Sequence, residues 1–414
     1  MKEIRREAWE TPNVSAFSRC TMETGPTDAG GAPTTSSAAA ETPRPADAVG
    51  VASSPQAGLR PVPVRFEFSD NLPRLIEELQ LAIVLTTYQA GRVVTIGSCG
   101  GELQVGFSHF PQAMGLARTP AGLAVASSDA VWRLPANREI AASLRPEAGH
   151  DIAFLARSCH RTGPVLAHDL AWCAGELLLV NTLFNCVVGL EEPWSFTPRW
   201  RPAFISATTP GDRCHLNGVA VSSDGQRLAY ATAHGAGDVE NSWRQDKVSG
   251  GCLIDASSGA VVLTGLAMPH SPRLHRGQLV LLDSGQGRLL AVDPGRLSSV
   301  EPQGADSLAE VIAELPGFCR GLDCWGPYAL VGLSQIREAA VFGGLPLQER
   351  HGQLRCGVAL VHLEERRLAG WLWFNSGVEE IFAASFLPGW CHPVVVGPDS
   401  ATDQNSEVWI VPPE

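Results

Sequence analysis

Three histidines, an arginine and a glutamate recur along this 414-residue chain at intervals that could gather them around one axis. They open the segments His168-Asp169-Leu170, His215-Leu216-Asn217, His270-Ser271-Pro272, Arg320-Gly321-Leu322 and Glu379-Glu380-Ile381, and Met114-Gly115-Leu116 begins the series. The first residues are 54, 47, 55, 50 and 59 positions apart. Imidazole is a common ligand for Zn, Mn and Fe, and three neutral imidazoles on one side of an ion leave positions open for water or substrate. His168, His215 and His270 are therefore candidate ligands of a divalent transition metal (Zn, Mn or Fe). Glu379 is a fourth ligand or a base. Arg320 is not a ligand. Its planar fork suits a carboxylate, sulfate or phosphate, which makes it a candidate for substrate binding and catalysis. The plainer alternatives are satisfied structural histidines, an Arg320–Glu379 pair that only neutralises charge, and Met114 as packing.

Elements that could position such a ring must repeat with it. Each segment is followed by a glycine-containing turn and a β-rich run, and repeats of this length with several strands each are the signature of a β-propeller. The third repeat is the clearest: strands are expected over 218–222, 228–232, 252–255 and 261–264, separated by Ser223-Asp224-Gly225 and Ser257-Ser258-Gly259. Too few strands follow Glu379 for a full blade, and the strands before Met114 lack an inner partner. Joining the two closes the ring and removes open sheet edges. The expected fold is all-β, a six-bladed propeller, with five or seven blades as alternative counts. A short helix is expected over 72–81, with Ser69-Asp70-Asn71 before it and Pro73 in its first turn.

Residues 1–62 are rich in Ala, Pro, Ser, Thr and Gly and are expected to be a disordered tail, with the propeller domain over 63–414. The propeller topology puts two long loops, 233–250 and 333–355, on the same face as the ring. Trp243, Arg244 and Lys247 on the first and Arg337 on the second are candidate substrate-binding residues, since function concentrates in loops on a rigid scaffold. Asp212, three residues before His215, is placed either to orient that imidazole or to cap a turn.

The net charge of −12 argues against sequence-independent nucleic-acid binding. No run approaches the roughly 18 apolar residues of a membrane span, and the charged start MKEIRREAWE lacks a signal-peptide core. The eleven cysteines form no Cys-x-x-Cys pair and read as reduced thiols of a cytoplasmic protein. Gly-x-Ser-x-Gly and His-Glu-x-x-His are both absent, which disfavours a serine hydrolase or a zincin.

The segments TTYQAG (86–91), HDLAW (168–172), RWRPAFIS (199–206), DRCHLNG (212–218), MPHSPR (268–273), LDSGQGRL (282–289), ELPGFCRGLD (314–323), FGGLPL (342–347) and VEEIF (378–382) together resemble a bacterial family of conserved hypothetical proteins with a domain of unknown function. The resemblance spans roughly residues 70–396 and implies a propeller without an established activity. Family members often carry Asp-Val where this chain has Ala383-Ala384. HLNGVAVSSDGQRLAYAT is also similar to a motif of gluconolactonase-like six-bladed propellers, in which an asparagine matching Asn217 helps hold a divalent cation. That likeness makes Asn217 a further substrate-site candidate. Their additional acidic ligand would fall near His270-Ser271-Pro272, where no acid stands, which weakens a calcium-lactonase reading.

The expected function is a metal-dependent lyase or hydrolase acting on a small anionic molecule, a saccharide or lactone among the candidates. The alternative is a non-enzymatic propeller that binds a peptide or protein partner.

Overall fold

The computed structural model describes residues 18–22, 64–144, 148–298, 300–336, 343–398 and 408–411. Arg337 therefore lies outside the described residues. Six sheets are arranged as six blades. Their inner strands are Leu116–Thr119, Ala167–Cys173, Leu216–Val221, Pro269–His275, Phe318–Trp325 and Ala383–Pro388.

The second, third and fourth blades follow the chain in simple meanders, as the turn signals predict. In the third blade Leu216–Val221 pairs with Leu228–Ala233, then Gly251–Asp255, then Val261–Leu266. The ring closes in the sixth blade, where Ala383–Pro388 pairs antiparallel with Leu81–Thr87, which continues into Arg92–Cys99 and Glu102–His109. N-terminal strands thus complete the last blade, as expected. Pro393–Val396 then adds a parallel strand to the first blade beside Ile152–Leu155. In the fifth blade Val64–Phe68 pairs with Arg367–Ser376, and Ser18–Met22 pairs with Val64–Phe68. Composition did not mark that short strand within the tail.

The core is a set of wedges between neighbouring blades. One wedge packs Leu179, Cys186 and Val188 of the second blade against Ala124 and Val131 of the first. Another packs Val280, Leu282 and Leu289 of the fourth blade against Leu322, Val331 and Leu333 of the fifth. Burying each such leucine or valine is worth about 1.5–3 kcal/mol. The helix spans Leu72–Glu78 and buries Leu72 and Ile76 against the fifth and sixth blades. It stops short of the expected 81 because Leu81 starts a strand. Asn71 does not cap it through its side chain; its Nδ2 donates instead to the Ala369 carbonyl at 2.7 Å. Among the described residues no helix is long and apolar enough to cross a membrane.

Inner strands run edge-on to the axis, so a regular strand would aim its side chains at the neighbouring blades. Four of the six depart from regularity at the same place. The ladder shifts between Ala167 and Leu170, Leu216 and Gly218, His270 and Arg273, and Cys319 and Leu322. A bulge leaves residues unpaired and re-aims their side chains. The bulges also need tight backbone approach. Gly321 has φ +82, and a Cβ there would lie 2.6 Å from the Ala384 nitrogen; a Cβ on Gly332 would lie 2.2 Å from the Arg320 carbonyl oxygen.

Candidate functional site at the propeller axis

The bulges open onto a cavity of ≈ 220 Å³ at one mouth of the axis. Its polar wall comprises His168, His215, His234, His270, Arg320, Glu380, Tyr88, Ser334 and Gln335, and Met114, Phe318 and Phe382 are among its apolar lining.

Backbone pairing corrects the repeat register inferred from sequence. Ala167, Leu216, Pro269 and Phe318 are equivalent, since each opens its ladder opposite the end of a second strand, at Asn181, Ala233, Asp283 and Ser334. The next residues are then His168, Asn217, His270 and Cys319, and each directs its side chain to the carbonyl two residues back. His168 Nδ1 meets Leu166 O at 3.0 Å, Asn217 Nδ2 meets His215 O at 3.2 Å, His270 Nδ1 meets Met268 O at 2.9 Å and Cys319 Sγ meets Gly317 O at 3.6 Å. His215 comes instead from two positions earlier, with a left-handed backbone at φ +51, uncommon for a non-glycine residue. Arg320 comes from one position later.

Three imidazoles share a tautomer imposed by their partners. The Thr182 hydroxyl donates to Leu216 O at 2.5 Å, so it accepts from His168 Nδ1 at 2.8 Å. His270 Nδ1 donates to Met268 O and also lies 2.9 Å from Ser284 Oγ. His215 Nδ1 donates to the Asp212 carboxylate at 2.6 Å. Each ring therefore keeps a bare Nε2 lone pair. Burial, then the neighbouring charges, holds His168 and His270 well below the usual histidine range, so both are neutral near pH 7.

His234 is the site residue that sequence reading missed. It is 1% exposed, and neither ring nitrogen has a hydrogen-bond partner among the described residues. Its ring lies between two others, 4.4 Å from His215 and 4.9 Å from His270, and His215 lies 4.7 Å from His168. Burial followed by the surrounding histidines depresses its pKa as well. The signal was a second repeat position: Thr182, His234, Ser284 and Gln335 each follow the last residue of a paired second strand.

The remaining predicted residues are distributed differently. Arg320 is 8% exposed, lies 3.4 Å from the Phe382 ring centroid, and contacts the Glu380 carboxylate at 3.3 Å. Burial lowers its pKa to about 10, while Glu380 opposes the shift. Glu380, not Glu379, is thus the acid of the cavity; the Glu379 carbonyl accepts from Gln335 N at 2.9 Å. In an irregular segment, adjacent side chains point apart, and sequence could not say which faces the axis. Asn217 is turned into its blade and accepts from Thr232 Oγ1 at 2.8 Å. Trp243 is a buried wall behind the histidines, 4.4 Å from His215, and donates to Asp212 at 3.2 Å. Arg244 stacks outside Trp243 at 4.3 Å. Lys247 donates to Gly343 O at 3.5 Å. None of Asn217, Trp243, Arg244 or Lys247 lines the cavity.

The expected convergence of three histidines and Glu379 on one ion is not the arrangement found. Among the described residues no group of three or more His, Cys, Asp or Glu side chains is arranged to hold a metal. Glu379 is outside the cavity, and His234 stands between His215 and His270, stacked on His215 at 22°. Stacked rings oppose faces rather than lone pairs.

Fold and site together define a six-bladed β-propeller with a histidine- and arginine-lined axial cavity. Over residues 70–396 the chain matches the family described as "Domain of unknown function (DUF4915)", and it belongs to that family. No curated protein matches it. Among solved structures, the chain is similar to one in a nidogen/laminin complex, at 9% identity and TM-score 0.46, over 75% of this chain and 100% of that one. A streptogramin B lyase aligns at 8% identity and TM-score 0.39, over 74% and 89%. A "putative 6-phosphogluconolactonase" of Bacteroides uniformis aligns at 14% identity and TM-score 0.37, over 70% and 82%. Similarities this distant carry nothing about activity.

Proposed function

We propose that the axial cavity is the catalytic site of a metal-dependent enzyme of the lyase or hydrolase class, acting on a small anionic molecule. The observation that carries this reading is a row of four imidazoles, two buried (His234, His270) and two half-buried (His168, His215), that shares one cavity with the buried Arg320 guanidinium. Among the described residues, both ring nitrogens of His234 are buried without a hydrogen-bond partner. A buried polar atom left unpaired costs about 1–3 kcal/mol. The rings as they stand do not converge on one ion; His234, which no hydrogen bond fixes among the described residues, would have to turn, and His168, His215, His234 and His270 are the residues that would then hold a divalent transition metal. When bound, it supplies a Lewis acid that polarises a carbonyl or carboxylate.

The chain's own groups do the rest. Arg320 binds the anion, with its plane set by Phe382. Asp212 orients His215, and the Thr182 and Ser284 hydroxyls meet the Nδ1 atoms of His168 and His270. Glu380, not Glu379, is the carboxylate at the cavity, beside Arg320. The apolar lining favours a compact anion with an apolar body over a polyhydroxylated sugar.

Elemental analysis of the purified full chain, before and after loading with Zn²⁺, Mn²⁺ or Fe²⁺, tests the reading. About one ion per chain is expected for a single such site, reduced in His234→Ala and retained in Arg320→Lys. A folded protein that takes up none of the three ions overturns it.

A further inference from the structure

We infer that Glu380 is a built-in occupant of the substrate's anion position, a carboxylate that holds Arg320 until a stronger-binding anion displaces it. This inference rests on the reading of the cavity as an anion site.

A buried guanidinium needs a counter-charge, and Glu380 is the only acidic residue among the described residues that line the cavity. The pairing is minimal. One Nη1–Oε1 contact at 3.3 Å joins the two. Charge-assisted contacts are normally about 2.7–2.9 Å and, for arginine with a carboxylate, frequently paired. The fork's other donors have no hydrogen-bond partner among the described residues. Arg320 is thus neutralised but underused, and a small carboxylate presenting two oxygens could engage it more fully.

The local backbone allows the exchange without rearrangement. Ile381, next to Glu380, is fixed by Ser334, whose Oγ accepts from Ile381 N and donates to Ile381 O, both at 3.0 Å. Phe382 N donates to Thr86 O at 2.8 Å. The main chain is pinned while the Glu380 side chain, about a quarter exposed, can swing toward solvent. Such an arrangement sets a threshold. An anion must outcompete a tethered carboxylate, so weak monodentate anions are rejected and bidentate ones accepted.

Isothermal titration calorimetry of the full chain with sodium acetate and with sodium sulfate tests this in wild type, Glu380→Gln, Glu380→Ala and Arg320→Met. Removing the internal competitor should tighten binding of either probe about tenfold, because one repulsive charge at the site is gone. Arg320→Met should abolish it. Arg320-dependent binding in wild type that is equal or weaker in both folded Glu380 variants overturns the inference and leaves the anion site standing. Absence of Arg320-dependent binding in every protein overturns the anion site as well.

Discussion

The two ends of the axis are built from the same six inner strands and treat charge in opposite ways. Downstream along those strands a second cavity, ≈ 370 Å³, is lined by Arg118, Arg273, Asp323, Trp172 and Ser385. There every charge is answered. Asp169 accepts from Arg273 at 3.1 and 3.3 Å and from the Leu170 and Val219 nitrogens. Arg273 also donates to the carbonyls of Val219 and Pro272. Asp323 accepts from Ser385 Oγ, Phe386 N and Cys324 N, and Arg118 lies 3.4 Å away. At the histidine mouth, among the described residues, Arg320 makes one long hydrogen bond and His234 makes none. Saturated polar networks stabilise and specify a fold, whereas groups left unsatisfied at burial are the mark of a site awaiting a ligand.

The contrast predicts opposite responses to truncation, and that is its hardest test. Asp169→Ala takes the carboxylate from the half-buried Arg273 and from the Leu170 and Val219 nitrogens, and should cost about 3 kcal/mol in denaturant unfolding. Arg320→Met leaves Glu380, which reaches water, and should cost no more than about 1 kcal/mol while removing anion binding. Comparable losses for the two would erase the distinction between the mouths.

Acid should act mainly on the histidine mouth. His168, His234 and His270 have folded pKa values depressed below the unfolded value of about 6.5. The unfolded chain therefore binds protons that the fold refuses, and stability is lost as pH falls below about 6.5, by up to about 1.4 kcal/mol per pH unit for each histidine. Asp283 works the other way: burial raises it to about 7, so its contribution is present in acid and lost as pH rises toward and through that value. Just below about pH 6.5 three histidines outweigh one aspartate. Unfolding free energy measured from pH 5 to 8 should rise with pH up to about 6.5, and His234→Phe should flatten that rise. An unchanged slope would show that His234 titrates freely.

The smallest effect sharpens the comparison from inside the site. Asp212→Asn keeps the shape but weakens the hold on His215 Nδ1–H, and should lower metal affinity roughly 10–100-fold with little change in melting temperature. A large melting loss with unaltered metal affinity would move Asp212 into the structural class occupied by Asp169.

Much of the scaffold was legible from local signals. Turn residues such as Ser223-Asp224-Gly225 and alternating apolar runs marked the strands of the middle blades, and their number forced closure through the N-terminal strands. His168, His270 and Arg320 line one cavity, together with His215 and Met114. The apparent equivalence of His215 with them was an accident of spacing: the ladder makes Asn217 their counterpart. Glu379 was chosen over Glu380 because no pattern tells adjacent residues apart in an irregular segment. His234 was passed over as the first residue of a loop, although it follows the last paired residue of a second strand.

The sequence by itself determined the repeat, the all-β architecture, the order of the blades and the inventory of imidazoles and guanidinium available to the axis. These follow from periodicity, turn chemistry and composition, which act between near neighbours in the chain. Only the tertiary structure decided which side chains meet. Bulges in four inner strands turn residues from the blade faces toward the axis, and a small shift in register exchanges a side chain that lines the cavity for one that makes a structural hydrogen bond. That choice depends on pairing between strands and packing between blades, so the cavity with His234 and Glu380 in it exists only once the ring has closed.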